Sequence, residues 1–191
     1  MNKFLYLLIT IISLPVLAND ITKLDIDDFK VGDSLLNFYT MSELSKGDVL
    51  EYPGSNKFYD LSLESNKGSQ FDSYTFALKK NDNKYKIFTI GGTIYFENKI
   101  NKCLLHKEKL LKSMKIALSN YEKYEHEYKF SGLADGKSIS YVTDFELPNG
   151  FISFYCNEYS KKTKQEYGLR DSFNIDLSSQ EHIDWINNEA Y

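Results

Sequence analysis

The sequence predicts an α+β fold in which an antiparallel sheet, built from hairpins, carries its helices on one face. Short segments that alternate apolar and polar residues follow one another along the chain, with turn residues between them. A single long segment, at about residues 100–122, has the apolar spacing of an amphipathic helix. Because the strands come in runs instead of alternating with helices, an antiparallel sheet is favoured over a parallel one.

The chain begins with the pattern of a secretory signal peptide. Lys3 supplies a positive charge, residues 4–12 form an apolar core, and Val16 and Ala18 precede a cleavage site after Ala18. The alternative is a membrane anchor, but the apolar stretch is shorter than the about 20 residues that a spanning helix needs. We therefore expect residues 1–18 to be a signal peptide and residues 19–191 to form a single domain that is periplasmic or secreted.

Strands are predicted wherever large apolar side chains recur at every second position. In chain order these segments are residues 21–29, 58–63, 74–78, 85–89, 93–96, 128–130, 139–147, 151–156 and 171–177. The turn sequences at residues 81–83 (Asn-Asp-Asn) and 148–150 (Pro-Asn-Gly) predict hairpins between neighbouring strands. Gly91 and Gly92 predict a bend or bulge within the sheet.

Helices are predicted from capping signals and from apolar spacing. Thr40 and Glu43 have the spacing of a capping box, which opens a short helix. Residues 100–122 are the long amphipathic helix, with a lysine-rich outer face. A second capping box opens a short C-terminal helix over residues 179–188, with its isoleucines on the buried side. The remaining polar connections are predicted at residues 47–57 and 160–168.

The two cysteines, Cys103 and Cys156, predict a structural disulfide. An even number of cysteines in an oxidising compartment favours a bond between them. Cys103 lies on the apolar stripe of the long predicted helix, and Cys156 shares a strand face with Phe154. A helix packed on the sheet therefore brings the two sulfurs together. Two distant cysteines and three scattered histidines are too few ligands for a metal site, so no metal is predicted.

Composition excludes several classes of function. The chain has 191 residues, with 23 Lys and Arg against 27 Asp and Glu, and a formal net charge of −4. A mildly acidic protein has no bulk electrostatic attraction to nucleic acid or to anionic lipid. No apolar run after residue 18 is long enough to cross a bilayer, so no transmembrane segment is expected after cleavage.

Residues 32–35, Gly-Asp-Ser-Leu, resemble the nucleophile motif of the GDSL family of esterases and lipases. That resemblance implies Ser34 as the nucleophile and His182 as the base. The chain departs from the family pattern because Ser179 stands where the orienting Asp is required, and no Gly-x-Asn-Asp segment completes an oxyanion hole. The other interpretation is that Asp33 or Ser34 caps a helical turn. We therefore predict no catalytic residue, and keep Ser34 with His182 as the alternative.

No cofactor site is predicted either. Residues 132–138 look like a phosphate-binding loop, but the motif needs four residues between its glycines, this chain has one fewer, and a strand pattern follows.

The lysines of the long helix fit a membrane-surface helix, but they are better explained as a solvated face; they are Lys107, Lys109, Lys112 and Lys115. Surplus tyrosines, which strand propensity alone also favours, could line a binding face; they include Tyr52, Tyr59, Tyr74, Tyr85, Tyr95, Tyr141, Tyr155 and Tyr159.

Across most of the mature chain, the sequence resembles an uncharacterised family of small exported proteins of marine bacteria. The residues that carry this resemblance are residues 31–36 (Val-Gly-Asp-Ser-Leu-Leu), Cys103, residues 135–138, Asn149, Gly150, Cys156 and Trp185. The resemblance implies an exported α+β protein without an assigned activity. We therefore predict an exported, non-catalytic binding module for a protein, peptide or small ligand. The alternatives are a serine esterase and a peripheral membrane-surface protein.

Overall fold

The computed structural model describes residues 20–65, 68–97 and 99–191. The predicted signal peptide, with its cleavage site at Ala18, lies outside the described residues. The described chain is a mixed α/β protein dominated by one antiparallel sheet of eight strands, with a separate two-stranded hairpin. The large antiparallel sheet and the small number of helices confirm the predicted class at this level.

The elements follow one another in this order. The strands are β1 (Asp25–Ile26), β2 (Phe29–Lys30), β3 (Asp48–Glu51), β4 (Phe58–Glu64), β5 (Ser73–Lys79), β6 (Ile87–Tyr95), β7 (Glu122–Lys129), β8 (Ile139–Leu147), β9 (Gly150–Glu158) and β10 (Ser172–Ser179). The α-helices are α1 (Met41–Leu44), α2 (Ile100–Ser113), α3 (Lys161–Tyr167) and α4 (Gln180–Asn188). Single 3₁₀ turns lie at Ile21–Lys23 and Leu35–Asn37.

The large sheet consists of two four-stranded meanders joined along their last strands. The strand order is β3-β4-β5-β6-β10-β9-β8-β7, and each neighbouring pair is antiparallel. The seam between the meanders pairs β6 with β10, from Tyr95 opposite Ser172 to Thr89 opposite Ser178. Strands β3 and β7 are the two outer edges, and all eight residues of β7 are exposed.

Alternation along the strands gives the sheet one apolar and one polar face. We define the apolar face by Phe76, Ile90, Leu177 and Ile152, which stand opposite one another on β5, β6, β10 and β9 and are all buried. The N-terminal segment and α2 pack on this face. The positions between these residues form the polar face, which includes Thr89 and carries the site described below.

The disulfide fixes α2 to the apolar face. The sulfurs of Cys103 and Cys156 lie 1.93 Å apart, and both residues are fully buried. Cys156 stands opposite Phe173 of β10, so it belongs to the same apolar face. The predicted pairing of the two cysteines is confirmed.

The long helix and the placement of the helices differ from the prediction. Helix α2 ends at Ser113 instead of near residue 122, because Met114 leaves the helical conformation and residues 114–120 form turns that lead into β7. Met114 and Leu118 are nevertheless buried, so their spacing reflects burial and not a continuing helix. The prediction of helices on one face only is wrong, because α4 packs on the polar face, where His182 meets Thr89.

Three shorter segments also differ. The predicted strand at residues 21–29 is a 3₁₀ turn followed by a tight hairpin, in which Asp27 and Asp28 have φ values of 50° and 73°. The connection predicted at residues 47–57 contains β3, and the connection predicted at residues 160–168 contains α3. Ser160 caps α3 by accepting from the Thr163 N–H, and Gly168 ends it with a φ of 68°.

Candidate functional site

A pocket of about 360 Å³ lies between the polar face and α4. Strands β4, β5, β6, β9 and β10 form its floor, while α4 and the segment after β3 form its wall. Its lining residues are Tyr52, Asp60, Thr75, Ala77, Thr89, Gly91, Thr93, Ser153, Tyr155, Asn174, Asp176, Ser178, His182, Ile183 and Ile186. We call this cavity the polar pocket.

Helix α4 is held over the pocket by its cap and by an aromatic cluster. Ser179 caps the helix by accepting from the His182 N–H at 3.3 Å, as the capping signal predicts. Trp185 is 1% exposed, and its ring centroid lies 4.9 Å from those of both Phe58 and Tyr52. Its indole N–H donates to Ser55 at 2.9 Å. These contacts fix the position of His182 at the pocket wall.

Two carboxyl groups in the pocket each receive a hydrogen bond from a tyrosine. Tyr52 donates to Asp60 Oδ2 at 2.6 Å, and Tyr155 donates to Asp176 Oδ2 at 2.8 Å. The Oδ1 atom of each aspartate accepts no hydrogen bond from the described residues. Each aspartate therefore keeps one carboxyl oxygen available to a ligand.

Burial of Asp176 raises the pKa of its carboxyl to about 7. The negative charges of Asp60 and Asp144 act in the same direction, while the hydrogen bond from Tyr155 acts against it. Burial also raises the pKa of Asp60. The pKa of the Tyr155 hydroxyl is raised by burial and, in addition, by the negative charge of the adjacent Asp176. The pocket therefore holds an aspartate that changes its charge near neutral pH.

His182 is held neutral on the opposite wall. Its residue is 5% exposed, and burial lowers the pKa of its imidazole to about 4. The Nδ1 atom shares a hydrogen bond of 2.8 Å with Thr89 Oγ1. The Nε2 atom is buried and has no hydrogen-bond partner among the described residues. A buried nitrogen without a partner is uncommon in native proteins, and its lost hydration is a cost to the stability of the folded chain.

Acceptor atoms therefore dominate the unused polar capacity of the pocket. Asp144, which follows Asp176 and Ser153 in one cross-strand row, adds a further buried and unpartnered Oδ1 atom beside it. The described lining includes neither Lys nor Arg. Nowhere in the described ranges do three His, Cys, Asp or Glu side chains converge in a way that could hold a metal ion. The arrangement suits a ligand that donates hydrogen bonds.

Gly91 keeps the floor open for the Asp176 side chain. A Cβ atom at this position would lie 2.5 Å from Asp176 Oδ1. This close approach explains why residue 91 is a glycine, in place of the bend that the sequence predicts. We expect Gly91→Ala to displace the carboxyl group and to lower the free energy of unfolding by about 1 kcal/mol, the lower end for overpacking, since the end of one side chain can move. Urea denaturation measures this effect. Gly132→Ala is the control, because a Cβ there meets no atom within 4 Å; equal effects of the two substitutions would contradict this explanation.

The structure does not bring Ser34 and His182 together. The Ser34 hydroxyl donates to the Lys84 carbonyl oxygen and accepts from the Leu36 N–H at 3.2 Å, so Ser34 caps the 3₁₀ turn. The next residue, Leu35, is fully buried in the core of the apolar face, whereas His182 lies on the polar face. Capping is the role that the sequence offered as the alternative to a nucleophile.

The four lysines predicted on the outer face of the long helix divide into two groups. Lys107 donates to the Tyr141 carbonyl oxygen at 2.8 Å and to Thr143 Oγ1 at 3.2 Å, and burial lowers the pKa of its ammonium group. The other three lysines of the predicted set are exposed; they are Lys109, Lys112 and Lys115. Ile116, beyond the end of the helix, is 90% exposed beside them.

Sequence reasoning found part of the polar pocket and missed its aspartates. Tyr52 and Tyr155 belong to the tyrosines that the sequence offers as a binding face, and His182 is the base of the alternative esterase prediction. Asp60 and Asp176 are not among the predicted site residues. Each lies inside an apolar strand, where aspartate is disfavoured, and this local conflict is the signal that could have identified them.

Comparison of the chain with protein-family profiles, with curated proteins and with solved structures finds no match. Among the helices of the described residues, none combines the length and the apolar character required to pass through a bilayer.

Proposed function

We propose that this protein is an exported binding protein and that the polar pocket is its site for a small polar ligand. The observation that carries the proposal is one cavity lined by Asp60 and Asp176, whose Oδ1 atoms accept no hydrogen bond from the described residues. A volume of about 360 Å³ lies within the range of small-molecule sites. The disulfide is compatible with export, which supports the predicted periplasmic or secreted location.

The perturbed pKa values support the same location for the site. Aspartates that are buried without a positive partner lower the stability of the folded chain, and proteins accept such a cost most often at functional sites. The pocket also has a rigid frame, because its floor consists of central strands and α4 is held by Trp185. A rigid pocket binds a ligand with little loss of conformational entropy.

Ligand screening tests this proposal. We expect at least one member of a panel of small sugars, amino acids, amines and carboxylates to raise the melting temperature and to shift the NMR signals of the His182 ring. Ser153→Phe should abolish binding, because it places an aromatic ring in the cavity. Ser42→Phe, at an exposed position of α1, is the matched control and should bind the ligand as the natural protein does. Failure of the whole panel, or binding that survives Ser153→Phe, would sink the proposal.

Two other functions remain weaker proposals. An esterase that uses Ser34 and His182 gains no support from their positions, since each side chain has a different partner. A membrane-surface role for α2 is supported by exposed Ile116 next to exposed lysines. A pocket of about 820 Å³ lies against α2, with Lys107, Lys112 and Lys115 in its lining, but it is more open than the polar pocket.

A further inference from the structure

The tyrosine hydroxyl groups of the polar pocket are already used inside the protein. Tyr52 and Tyr155 donate their protons to the two aspartates. Thr93 donates to Asn174 Oδ1 at 2.8 Å, and the Asn174 amide donates to Ser172 at 3.1 Å. A ligand therefore finds few strong donors in the pocket.

The polar atoms of the pocket that are still free to form hydrogen bonds with a ligand are mainly acceptors. Asp60 and Asp176 line the cavity, and each has an Oδ1 atom that accepts no hydrogen bond from the described residues. Without a Lys or Arg in the described lining, the potential inside the pocket is negative once the aspartates are ionised. A partly buried site of this kind disfavours anions and strengthens the attraction of a cation.

The cation that fits is organic and not a metal ion. Asp60 lies on β4 and Asp176 on β10, so the backbones of two strands, β5 and β6, separate them. The described residues supply no convergent set of three ligands for a metal. Ile183 and Ile186 of α4, with Ala77 of β5, give the same cavity an apolar surface suited to a carbon chain.

We propose that the ligand of the polar pocket is a small aliphatic amine in its protonated form, and that Asp60 and Asp176 bind its ammonium groups. This inference rests on the proposed function, because it concerns the same pocket. Ammonium groups make charge-assisted hydrogen bonds to carboxylates, and the two separated aspartates match a chain with an amino group at each end.

Three compounds with the same carbon skeleton test this inference by calorimetric titration at pH 8. They are 1,4-diaminobutane, 1,4-butanediol and succinate, which present ammonium, hydroxyl and carboxylate ends on the same spacer. We expect the diamine to bind and to bind more tightly than the diol, and we expect succinate not to bind. Asp60→Asn and Asp176→Asn should each weaken diamine binding about tenfold or more, since each removes a charged partner. Asp48→Asn, on exposed β3, should leave the affinity unchanged.

The other outcomes overturn the inference and separate it from the proposed function. The inference fails if the diol or succinate binds more tightly than the diamine, if both Asn variants bind the diamine normally, or if none of the three compounds binds. The proposed function still stands in those cases when another member of the screening panel binds in a way that Ser153→Phe abolishes. It fails only when no panel compound does so.

Discussion

Replacement of Cys103 and Cys156 together by serine is expected to lower the free energy of unfolding by about 4 kcal/mol. The two residues are 53 positions apart, and a bond across a loop of that length removes much of the conformational entropy of the unfolded chain. The loop contains most of α2 and the strands β7 and β8, with part of β9. Loss of the disulfide therefore gives the unfolded chain more conformational freedom over most of the second meander.

Urea denaturation of the oxidised protein and of the double variant measures this difference. Both sulfurs are fully buried, so a reductant should act on the natural protein only after unfolding. The natural protein, unfolded and refolded in reductant, should then match the double variant. A difference below about 1 kcal/mol between the oxidised protein and the double variant would show that the bond contributes little beyond local packing.

Asp176→Asn is expected to stabilise the protein at pH 8 by up to about 4 kcal/mol and to leave its stability nearly unchanged near pH 4. Burial raises the pKa of Asp176 from 3.8 to about 7, and each pKa unit corresponds to about 1.4 kcal/mol. Below pH 3.8 both states hold the proton. As the pH rises to about 7, only the folded state holds it, so the stability contributed by this group falls and stays low above pH 7.

The difference between variant and natural protein isolates Asp176 from its neighbours. The titratable groups facing it are Tyr52 after β3, Asp60 on β4, Asp144 on β8, Tyr155 on β9 and His182 on α4. Both proteins carry these groups, including His182, whose lowered pKa gives the opposite trend between about pH 4 and 6.5. Denaturation at pH 4 and pH 8 with Asp48→Asn as the control completes the measurement. A variant less stable than the natural protein at pH 8 would mean that the carboxylate contributes to folding.

Most strands and the disulfide could be predicted because local patterns determine them. Alternation identified β4, β5, β8, β9 and β10, and the capping boxes identified α1 and α4. The end of α2 could not be predicted in this way. Met114 and Leu118 continue the apolar spacing of the helix, but their burial comes from the turns that follow it. Apolar spacing reports which side chains are buried, and not which backbone conformation buries them.

The polar pocket could not be predicted because it depends on the order of strands in space. Asp60 and Asp176 are far apart in the chain, and only the seam between β6 and β10 brings their strands into one sheet. Nothing local determines that α4 turns back over the polar face. Its capping signal gives the start of the helix, while the contacts of Trp185 with Phe58 and Tyr52 decide its direction.

The seam also governs how far the two meanders depend on each other. Residues 89–95 find their partners at residues 172–178, so this ladder closes only after the chain has been synthesised to residue 178. Until then, the unpaired backbone N–H and C=O groups along β6 form an open strand edge that can pair with another chain. The interval before closure is therefore when one copy is most exposed to mispairing with another.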